Sequence, residues 1–257
     1  MHLVRSPFQA GETKIRVLQP GTRKPEERFP VLYLLPVEPG DQSQYGNPLT
    51  EIVRLKLHER HRIICVFPTL TRMPWYADHP RDRLIRQESY LLRVVLPTID
   101  REYPVQQNSA GRWLLGFSKG GWGAISLLLR HPETFDRAAG WDVPYTLPYP
   151  DRYQMLDIFG TQENFDRHRI PLLAKSQAER LRRDTRLLLL GHNLFLEHQQ
   201  SFHQQLDALK VPHVYREGPR REHRWDSGWL PDAITLLTGL PRHEPPAETQ
   251  PGLPRPR

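Results

Sequence analysis

The chain has 257 residues, of which 38% are hydrophobic, and it carries a formal net charge of +7 at pH 7. This length accommodates one large α/β domain or two small ones. The basic residues are spread along the chain without a stripe of interleaved aromatics, so nucleic acid is not an expected partner. The single cysteine, Cys65, excludes an internal disulfide framework and is expected to be a buried, inert thiol.

The N-terminal residues 1–17 lack the apolar core of a signal peptide, and no segment of the sequence approaches the length of a membrane span. We therefore expect a soluble protein with no membrane partner, cytoplasmic by default and secreted if a signal has been removed. Nothing in the sequence indicates an oligomeric state.

In chain order, residues 13–18 predict a short strand, and six runs rich in apolar residues follow it. These runs span residues 29–35, 63–67, 112–115, 137–141, 186–190 and 211–215. Runs that are apolar throughout, without alternation, are typical of strands buried on both faces of a parallel sheet.

Apolar residues at helical spacing lie between these runs and predict helices over residues 50–59, 87–101, 122–129, 198–210 and 230–237. Thr50 is the expected N-cap of the first helix, and Pro97 is expected to kink the second. The alternation of strands and helices predicts a doubly wound, mostly parallel α/β sheet with helices on both faces.

One domain is expected over residues 1–240, and the Pro-rich, polar residues 241–257 are expected to form a disordered tail. Two stretches interrupt the rhythm of strands and helices: the polar loop 68–86 and the longer insertion 142–184. Ligands bind at the carboxyl ends of the strands in open α/β sheets, so both stretches are expected to border a site.

The stretch Gly116-Phe117-Ser118-Lys119-Gly120 matches the G-x-S-x-G pattern of a nucleophile elbow, between a predicted strand and a predicted helix. A sharp strand-to-helix turn strains the serine backbone, and glycines two positions away on each side remove clashes with the neighbouring elements. Ser118 is therefore the candidate nucleophile. The alternative is a tight glycine-rich turn in which the serine is incidental.

The general base should follow the last strand and precede the last helix, which selects His223 among twelve histidines. His213 lies within the last predicted strand and is expected to be a core or edge residue. His198 and His203 lie five residues apart on a helix, which is not a metal-ligand spacing. The sequence therefore predicts neither a metal site nor a cofactor.

Two residues compete for the place of the acid that orients the base. Asp142 ends the run 137–141, and Asn193 follows the run 186–190, where no carboxylate appears before Glu197. Both positions are expected at the carboxyl edge of the sheet. A buried carboxylate stabilises an imidazolium better than an amide does, so Asp142 is preferred, and Asn193 stays open as an orienting acceptor.

An oxyanion hole in this arrangement takes one N–H from the residue after the nucleophile, here Lys119, and one from the loop after the first core strand. Pro36 has no N–H, so Val37 or Glu38 must provide the second donor. The Glu38 carboxylate would oppose an oxyanion unless it turns outward or pairs with an arginine. A plain Pro-Gly turn is an equal alternative for this loop.

Four aromatic residues are candidates for the substrate pocket: Tyr45, Trp75, Tyr76 and Trp141. Trp75 and Tyr76 lie on the polar loop 68–86, and Trp141 ends a predicted strand. Core packing is nearly as good an explanation for all four.

Three stretches of the chain, FPVLYLLP, GFSKGGWGAISLLLRHPETFDRAAG and GPRREHRWDSGWLPDAI, resemble the putative esterase family of α/β-hydrolases. That family includes esterase D-like carboxylesterases, feruloyl esterases and mycolyltransferases, and the resemblance covers roughly residues 13–240. It implies the α/β-hydrolase fold, with Ser118 as nucleophile and His223 as base. The chain departs from the family where Pro36-Val37 replaces the common His-Gly, and where Asn193 or its neighbour replaces an aspartate.

The sequence therefore predicts a serine hydrolase that cleaves small-molecule carboxylic esters through an acyl-enzyme intermediate. One alternative is an acyltransferase on the same scaffold, in which an alcohol replaces water. The other is a catalytically impaired hydrolase fold that serves as a binding protein.

Overall fold

The computed structural model describes residues 1–241, and most of the predicted tail therefore lies outside the described residues. Eight strands form one sheet: β1 His2–Arg5, β2 Glu12–Leu18, β3 Val31–Leu34, β4 Ile64–Pro68, β5 Arg112–Phe117, β6 Arg137–Trp141, β7 Leu187–Leu190 and β8 His213–Arg216. Their order is β1-β2-β4-β3-β5-β6-β7-β8. The strands from β4 to β8 in this order are parallel, and β1 and β2 join them antiparallel at one edge.

Eleven α-helices occur within the described residues: α1 Pro48–Arg54, α2 Leu57–Arg60, α3 Gln87–Tyr90, α4 Leu96–Glu102, α5 Ser118–Arg130, α6 Met155–Phe159, α7 Gln162–Asp166, α8 Ile170–Ser176, α9 Ala178–Leu181, α10 Leu196–Ala208 and α11 Trp229–Gly239. Four of them, α6 to α9, lie within the insertion 142–184. A 3₁₀ turn at Ser109–Gly111 precedes β5. No helix in residues 1–241 is long and apolar enough to cross a membrane.

The helices cover both faces of the sheet, as the sequence predicts. The apolar side chains of α1, α2 and α11 pack on one face, where Ile52, Leu57 and Ile234 are fully or almost fully buried. On the other face pack α3, α4, α5, α8 and α10, represented by Ile125 and Phe202. This two-sided burial explains why β3, β4, β6 and β7 are buried along their whole length.

Three expectations about individual elements need correction. The edge strand β1 is not among the predicted strands, because its four residues alternate between half-buried and exposed and give a weak pattern. The helix predicted over 50–59 is two short helices, which Lys56 separates with a left-handed φ of 51°. Its N-cap is Asn47 and not Thr50, because the Asn47 side chain accepts hydrogen bonds from the Leu49 and Thr50 N–H groups.

The helix predicted over 87–101 contains a π-helical stretch, Leu91–Val95, between α3 and α4. Pro97 follows within the first turn of α4. Proline has no N–H for the helical ladder and its ring crowds the preceding turn, so the irregularity lies just ahead of it. The expected disturbance at Pro97 therefore takes the form of a widened turn.

Candidate active site

Ser118 lies at the turn between β5 and α5 and has a left-handed φ of 48°. Glycine is required on both sides of this turn because the chain segments approach too closely for a side chain. A Cβ on Gly116 would lie 2.3 Å from the backbone of Gly120, and a Cβ on Gly120 would lie 2.1 Å from the Leu35 carbonyl oxygen. The pentapeptide thus has the backbone of a nucleophile elbow.

Asp142 follows β6, the strand that pairs with β5, and it also has a left-handed φ of 48°. Its Oδ2 lies 2.5 Å from Nδ1 of His223. Its Oδ1 accepts three backbone N–H groups, from Asn193 at 2.8 Å, Leu194 at 2.8 Å and Phe195 at 2.9 Å. The Asp142 side chain is almost fully buried, but each of its two carboxylate oxygens has at least one hydrogen-bond partner.

These donors keep the carboxyl ionised. Burial by itself raises the pKa of Asp142, but the hydrogen bonds from His223 and from the Asn193 and Phe195 N–H groups lower the pKa below its usual range. A carboxylate that stays charged next to Nδ1 holds the imidazole in the tautomer whose Nε2 has a free lone pair.

Asn193 takes part in this arrangement through its backbone. Its side-chain Nδ2 donates to the Arg221 carbonyl oxygen at 2.7 Å, and its Oδ1 accepts a long hydrogen bond of 3.5 Å from Arg220. Of the two candidates for the acid position, the structure brings Asp142 to the His223 ring, while the Asn193 amide contacts the loop that carries His223.

His223 lies in the loop between β8 and α11, and its ring is packed edge-on against aromatic neighbours. The ring centroids of Phe117 and Tyr45 lie 5.0 Å and 5.5 Å from that of His223, and Phe195 lies 6.0 Å away. The loop itself is tied to the loop between β3 and α1, because the Trp225 N–H donates to the Tyr45 carbonyl oxygen at 2.9 Å. The imidazole is thus held in one orientation while its side chain stays 17% exposed.

Three backbone N–H groups are available for an oxyanion. Lys119 is the second residue of α5, and an N–H in the first turn of a helix has no acceptor within that helix. Within residues 1–241, the N–H groups of Val37 and Glu38 donate to no other group. The loop holding them is fixed by the Tyr76 hydroxyl, which donates to the Pro36 carbonyl oxygen at 2.5 Å.

The Glu38 side chain turns toward its own loop. Its two carboxylate oxygens accept the N–H groups of Gln44 at 3.3 Å and Tyr45 at 3.4 Å. The sequence expectation of outward rotation or an arginine partner needs correction: Glu38 is only 8% exposed, and among the described residues its carboxylate is satisfied by these two backbone N–H groups. The charge also acts on Lys119, whose pKa burial lowers while Glu38 works in the opposite direction.

Ser118 and His223 line one cavity of about 220 Å³ at the carboxyl edge of the sheet. Lys119 and two of the predicted pocket aromatics, Tyr45 and Trp75, also line it. Sequence reasoning misses four lining residues: Pro144, Tyr153, Leu194 and Phe195. The first two belong to the insertion 142–184, which the sequence predicts to border the site, but no local pattern singles them out.

The other two predicted pocket residues do not line this cavity. Tyr76 is 1% exposed and packs against Gly123, where a Cβ would lie 2.0 Å from its ring. Trp141 is fully buried and stacks on Phe117, with ring centroids 5.4 Å apart. Tyr76 thus supports the loop at Pro36 from behind, and Trp141 supports the floor beneath the elbow.

No group of potential metal ligands in residues 1–241 lies at this cavity. The cluster with the required spacing consists of His203, Asp207 and His213, on α10 and β8. Cys65 is fully buried in β4, and burial raises the pKa of its thiol, so it is not a nucleophile.

Comparison with known proteins places this geometry in context. The model of the family described as "Putative esterase" matches residues 6–229. Among curated proteins, none matches the chain. Among solved structures, several hundred chains share its fold.

Three of these solved structures, which have different names, are similar to the chain at low sequence identity. A ferulic acid esterase is 20% identical with a TM-score of 0.68, over 92% of this chain and 95% of its own. The S-formylglutathione hydrolase of Agrobacterium tumefaciens is 16% identical with a TM-score of 0.72, over 92% and 93%. MPT51 (FbpC1) of Mycobacterium tuberculosis is 16% identical with a TM-score of 0.71, over 93% and 97%. The α/β-hydrolase fold and the family resemblance expected from the sequence are confirmed.

Proposed function

Because the chain belongs to the Putative esterase family, we propose that it hydrolyses small carboxylic esters through an acyl-enzyme intermediate on Ser118. The observation that carries this proposal is the contact of 2.5 Å between Asp142 Oδ2 and His223 Nδ1, beside a serine on a strained elbow. A buried aspartate and an oriented imidazole in one cavity with such a serine form the arrangement that activates a hydroxyl nucleophile.

In the first half of the reaction, Ser118 Oγ attacks the ester carbonyl carbon while its proton passes to Nε2 of His223. The imidazolium that forms is stabilised by the Asp142 carboxylate, which keeps its charge because three N–H groups and His223 solvate it. The C–O bond to the alcohol then breaks, and the same proton passes from Nε2 to the leaving alkoxide. In the second half, water takes the place of the alcohol and releases the acid.

The tetrahedral intermediate puts a negative charge on the former carbonyl oxygen. We assign the N–H of Lys119 and the N–H of Val37 or Glu38 as its donors, because a pre-positioned N–H stabilises that charge without reorganisation. The first turn of α5 adds the positive end of a helix dipole at the same place. The Glu38 carboxylate is compatible with this role because it is bound to the N–H groups of Gln44 and Tyr45.

The size and walls of the cavity favour a short acyl group on the substrate. A volume of about 220 Å³ lies below the range of about 300–1,000 Å³ that is common for drug-sized ligands. Its walls are mostly aromatic or apolar, through Tyr45, Trp75, Leu194 and Phe195. We expect acetyl to butyryl esters to react faster than esters of long fatty acids.

Labelling with a fluorophosphonate, followed by mass mapping of the modified peptide, tests the nucleophile. We expect one label per chain, on Ser118, and its loss in Ser118→Ala. Ser176→Ala is the matched control, because Ser176 is exposed on α8 and its hydroxyl only binds the Leu173 carbonyl oxygen. A label that persists in Ser118→Ala, or a wild-type chain that takes none, overturns the proposal.

Product analysis separates hydrolysis from acyl transfer on the same scaffold. With p-nitrophenyl acetate and a large excess of glycerol, a hydrolase releases acetate as its main product. Predominant formation of acetylglycerol would instead identify the protein as an acyltransferase.

A further inference from the structure

Three side chains with metal-binding atoms meet on α10 and the edge strand β8. His203 and Asp207 lie four residues apart on α10, so their side chains share one face of the helix. His213 is the first residue of β8, the strand that follows α10 in the chain. Each of the three offers one ligand atom, and these atoms all lie within 4.8 Å of one another.

The His213 ring is held in the tautomer that a metal ligand requires. Its Nδ1 lies 2.8 Å from the Val211 carbonyl oxygen, which can only accept, so Nδ1 carries the proton. Nε2 is therefore unprotonated, and without a metal it accepts a hydrogen bond from the Nδ1–H of His203 at 2.8 Å. A bound ion takes the place of that proton, which is released to solvent. A histidine that binds a metal through one ring nitrogen usually donates the N–H of its other ring nitrogen to a carboxylate, a backbone carbonyl or water. The Val211 carbonyl oxygen is such a partner for His213.

The His203 ring is also fixed without a metal. It stacks on Tyr215, with ring centroids 3.8 Å apart and planes within 6° of parallel. The Tyr215 hydroxyl is in turn bound to Glu217 at 2.7 Å. His203 Nε2 lies 3.5 Å from Asp207 Oδ2, so the carboxylate faces the far edge of the same ring.

From this geometry we propose that His203, Asp207 and His213 bind one divalent transition-metal ion of the zinc type. Two imidazoles and a carboxylate suit zinc, whereas calcium and magnesium prefer sites made of oxygen ligands alone. Tetrahedral ligation at 2.0–2.1 Å places two nitrogens about 3.3 Å apart, so the pair at 2.8 Å needs to open by roughly half an ångström. The Asp207 side chain is 62% exposed and can rotate to complete the set, leaving the fourth position to water.

The role of this site is structural. It joins the C-terminal half of α10 to β8, an edge strand whose residues are only partly buried. β8 also leads into the loop that carries His223. The bound ion therefore stabilises the last strand of the sheet, and this inference does not depend on the role of Ser118.

Calorimetric titration of the full chain, free of metal and of any histidine tag, with zinc chloride tests the proposal. We expect one ion per chain with a dissociation constant in the micromolar range or below, and a rise in Tm on saturation. His203→Gln and His213→Gln should each weaken binding at least tenfold and reduce the rise in Tm at the same zinc concentration. Asp207→Asn should weaken binding by a smaller factor. Magnesium chloride should have no effect.

His2→Gln is the matched control, because His2 is another half-buried histidine that binds a tyrosine, on the opposite edge strand β1. It should bind zinc as the wild type does. Circular dichroism of each variant reports whether it has folded, and Asp207→Asn provides a ligand variant at an exposed position. Absence of binding, or unchanged affinity in a folded His203→Gln/His213→Gln double variant, overturns the proposal.

Discussion

Asp142 and His223 are 81 residues apart in the chain, yet Oδ2 of the first lies 2.5 Å from Nδ1 of the second. Because β6 pairs with β5 at the centre of the parallel sheet, Asp142 emerges beside the elbow, and the loop between β8 and α11 brings His223 to it. The Ser118 N–H donates to the Asp142 carbonyl oxygen at 3.2 Å, which ties the elbow directly to the turn that carries the aspartate.

The first prediction compares the two candidates for the acid. Asp142→Asn should lower kcat for p-nitrophenyl acetate by about 10³–10⁴-fold, because an amide favours the wrong imidazole tautomer and cannot stabilise the imidazolium. Asn193→Ala should lower kcat by less than about tenfold, since its backbone N–H still binds Asp142. Steady-state kinetics decide the matter, and a larger loss in Asn193→Ala would reverse the assignment.

The second prediction concerns the support of the oxyanion loop. Tyr76→Phe removes the only side-chain donor to the Pro36 carbonyl oxygen among the described residues, and we expect kcat to fall by about tenfold with KM little changed. Loss of this buried hydrogen bond should also cost about 1–3 kcal/mol of stability.

Tyr145→Phe is the matched control, because Tyr145 is also buried and its hydroxyl binds the Gly140 carbonyl oxygen within β6. It should lose stability but retain kcat. Equal losses of kcat in both variants would show that Tyr76 acts through general stability alone.

The third prediction tests the close approach at the elbow. A Cβ on Gly120 would meet the Leu35 carbonyl oxygen at 2.1 Å, and backbone cannot move aside as a flexible side chain can. Gly120→Ala should therefore destabilise the fold by about 1–3 kcal/mol or more, measured as a shift of the urea midpoint. Gly239→Ala, at a position with no atom within 4 Å of the added Cβ, should leave stability unchanged or slightly raised. A neutral Gly120→Ala would contradict the geometry of the elbow.

The fourth prediction concerns stability at acid pH. Glu88 pairs with Arg130 through Oε2 and with His131 through Oε1, and Oε2 also lies 3.4 Å from His168 Nε2. Burial by itself raises the pKa of Glu88, but Arg130 and the two histidines lower that pKa well below its usual range. A carboxyl whose folded pKa is depressed contributes stability above its unfolded pKa of about 4.3, and the contribution is lost as pH falls further.

We therefore expect the free energy of unfolding to fall steeply as pH drops below about 4, and this dependence to be weaker in Glu88→Gln. At pH 7 the same variant should be about 3–5 kcal/mol less stable, because it leaves Arg130 buried without its partner. Glu163→Gln, which removes an exposed pair with Arg167, should change stability by less than about 1 kcal/mol. Urea unfolding across the pH range measures all three, and identical pH profiles for wild type and Glu88→Gln would contradict the account.

Much of the fold and part of the site follow from local patterns in the sequence. Continuous apolar runs specify buried parallel strands, because any strand covered by helices on both faces must be apolar throughout. The glycines on either side of Ser118 can also be interpreted from the sequence, because a sharp strand-to-helix turn leaves no room for side chains at those two positions. The place of His223 after the last strand follows from chain order in a doubly wound sheet.

Other features depend on contacts between residues distant in the chain, and only the tertiary structure decided them. Asp142 and Asn193 both end strands at the same edge, and which side chain reaches His223 depends on the left-handed turn at Asp142. The residues that line the cavity were also decided by tertiary packing. Tyr76 and Trp141 are aromatic, as pocket residues often are, but both are buried behind the cavity wall. Local sequence sets which elements form; the packing of separate elements sets which side chains meet, because that depends on register and on distances no local pattern encodes.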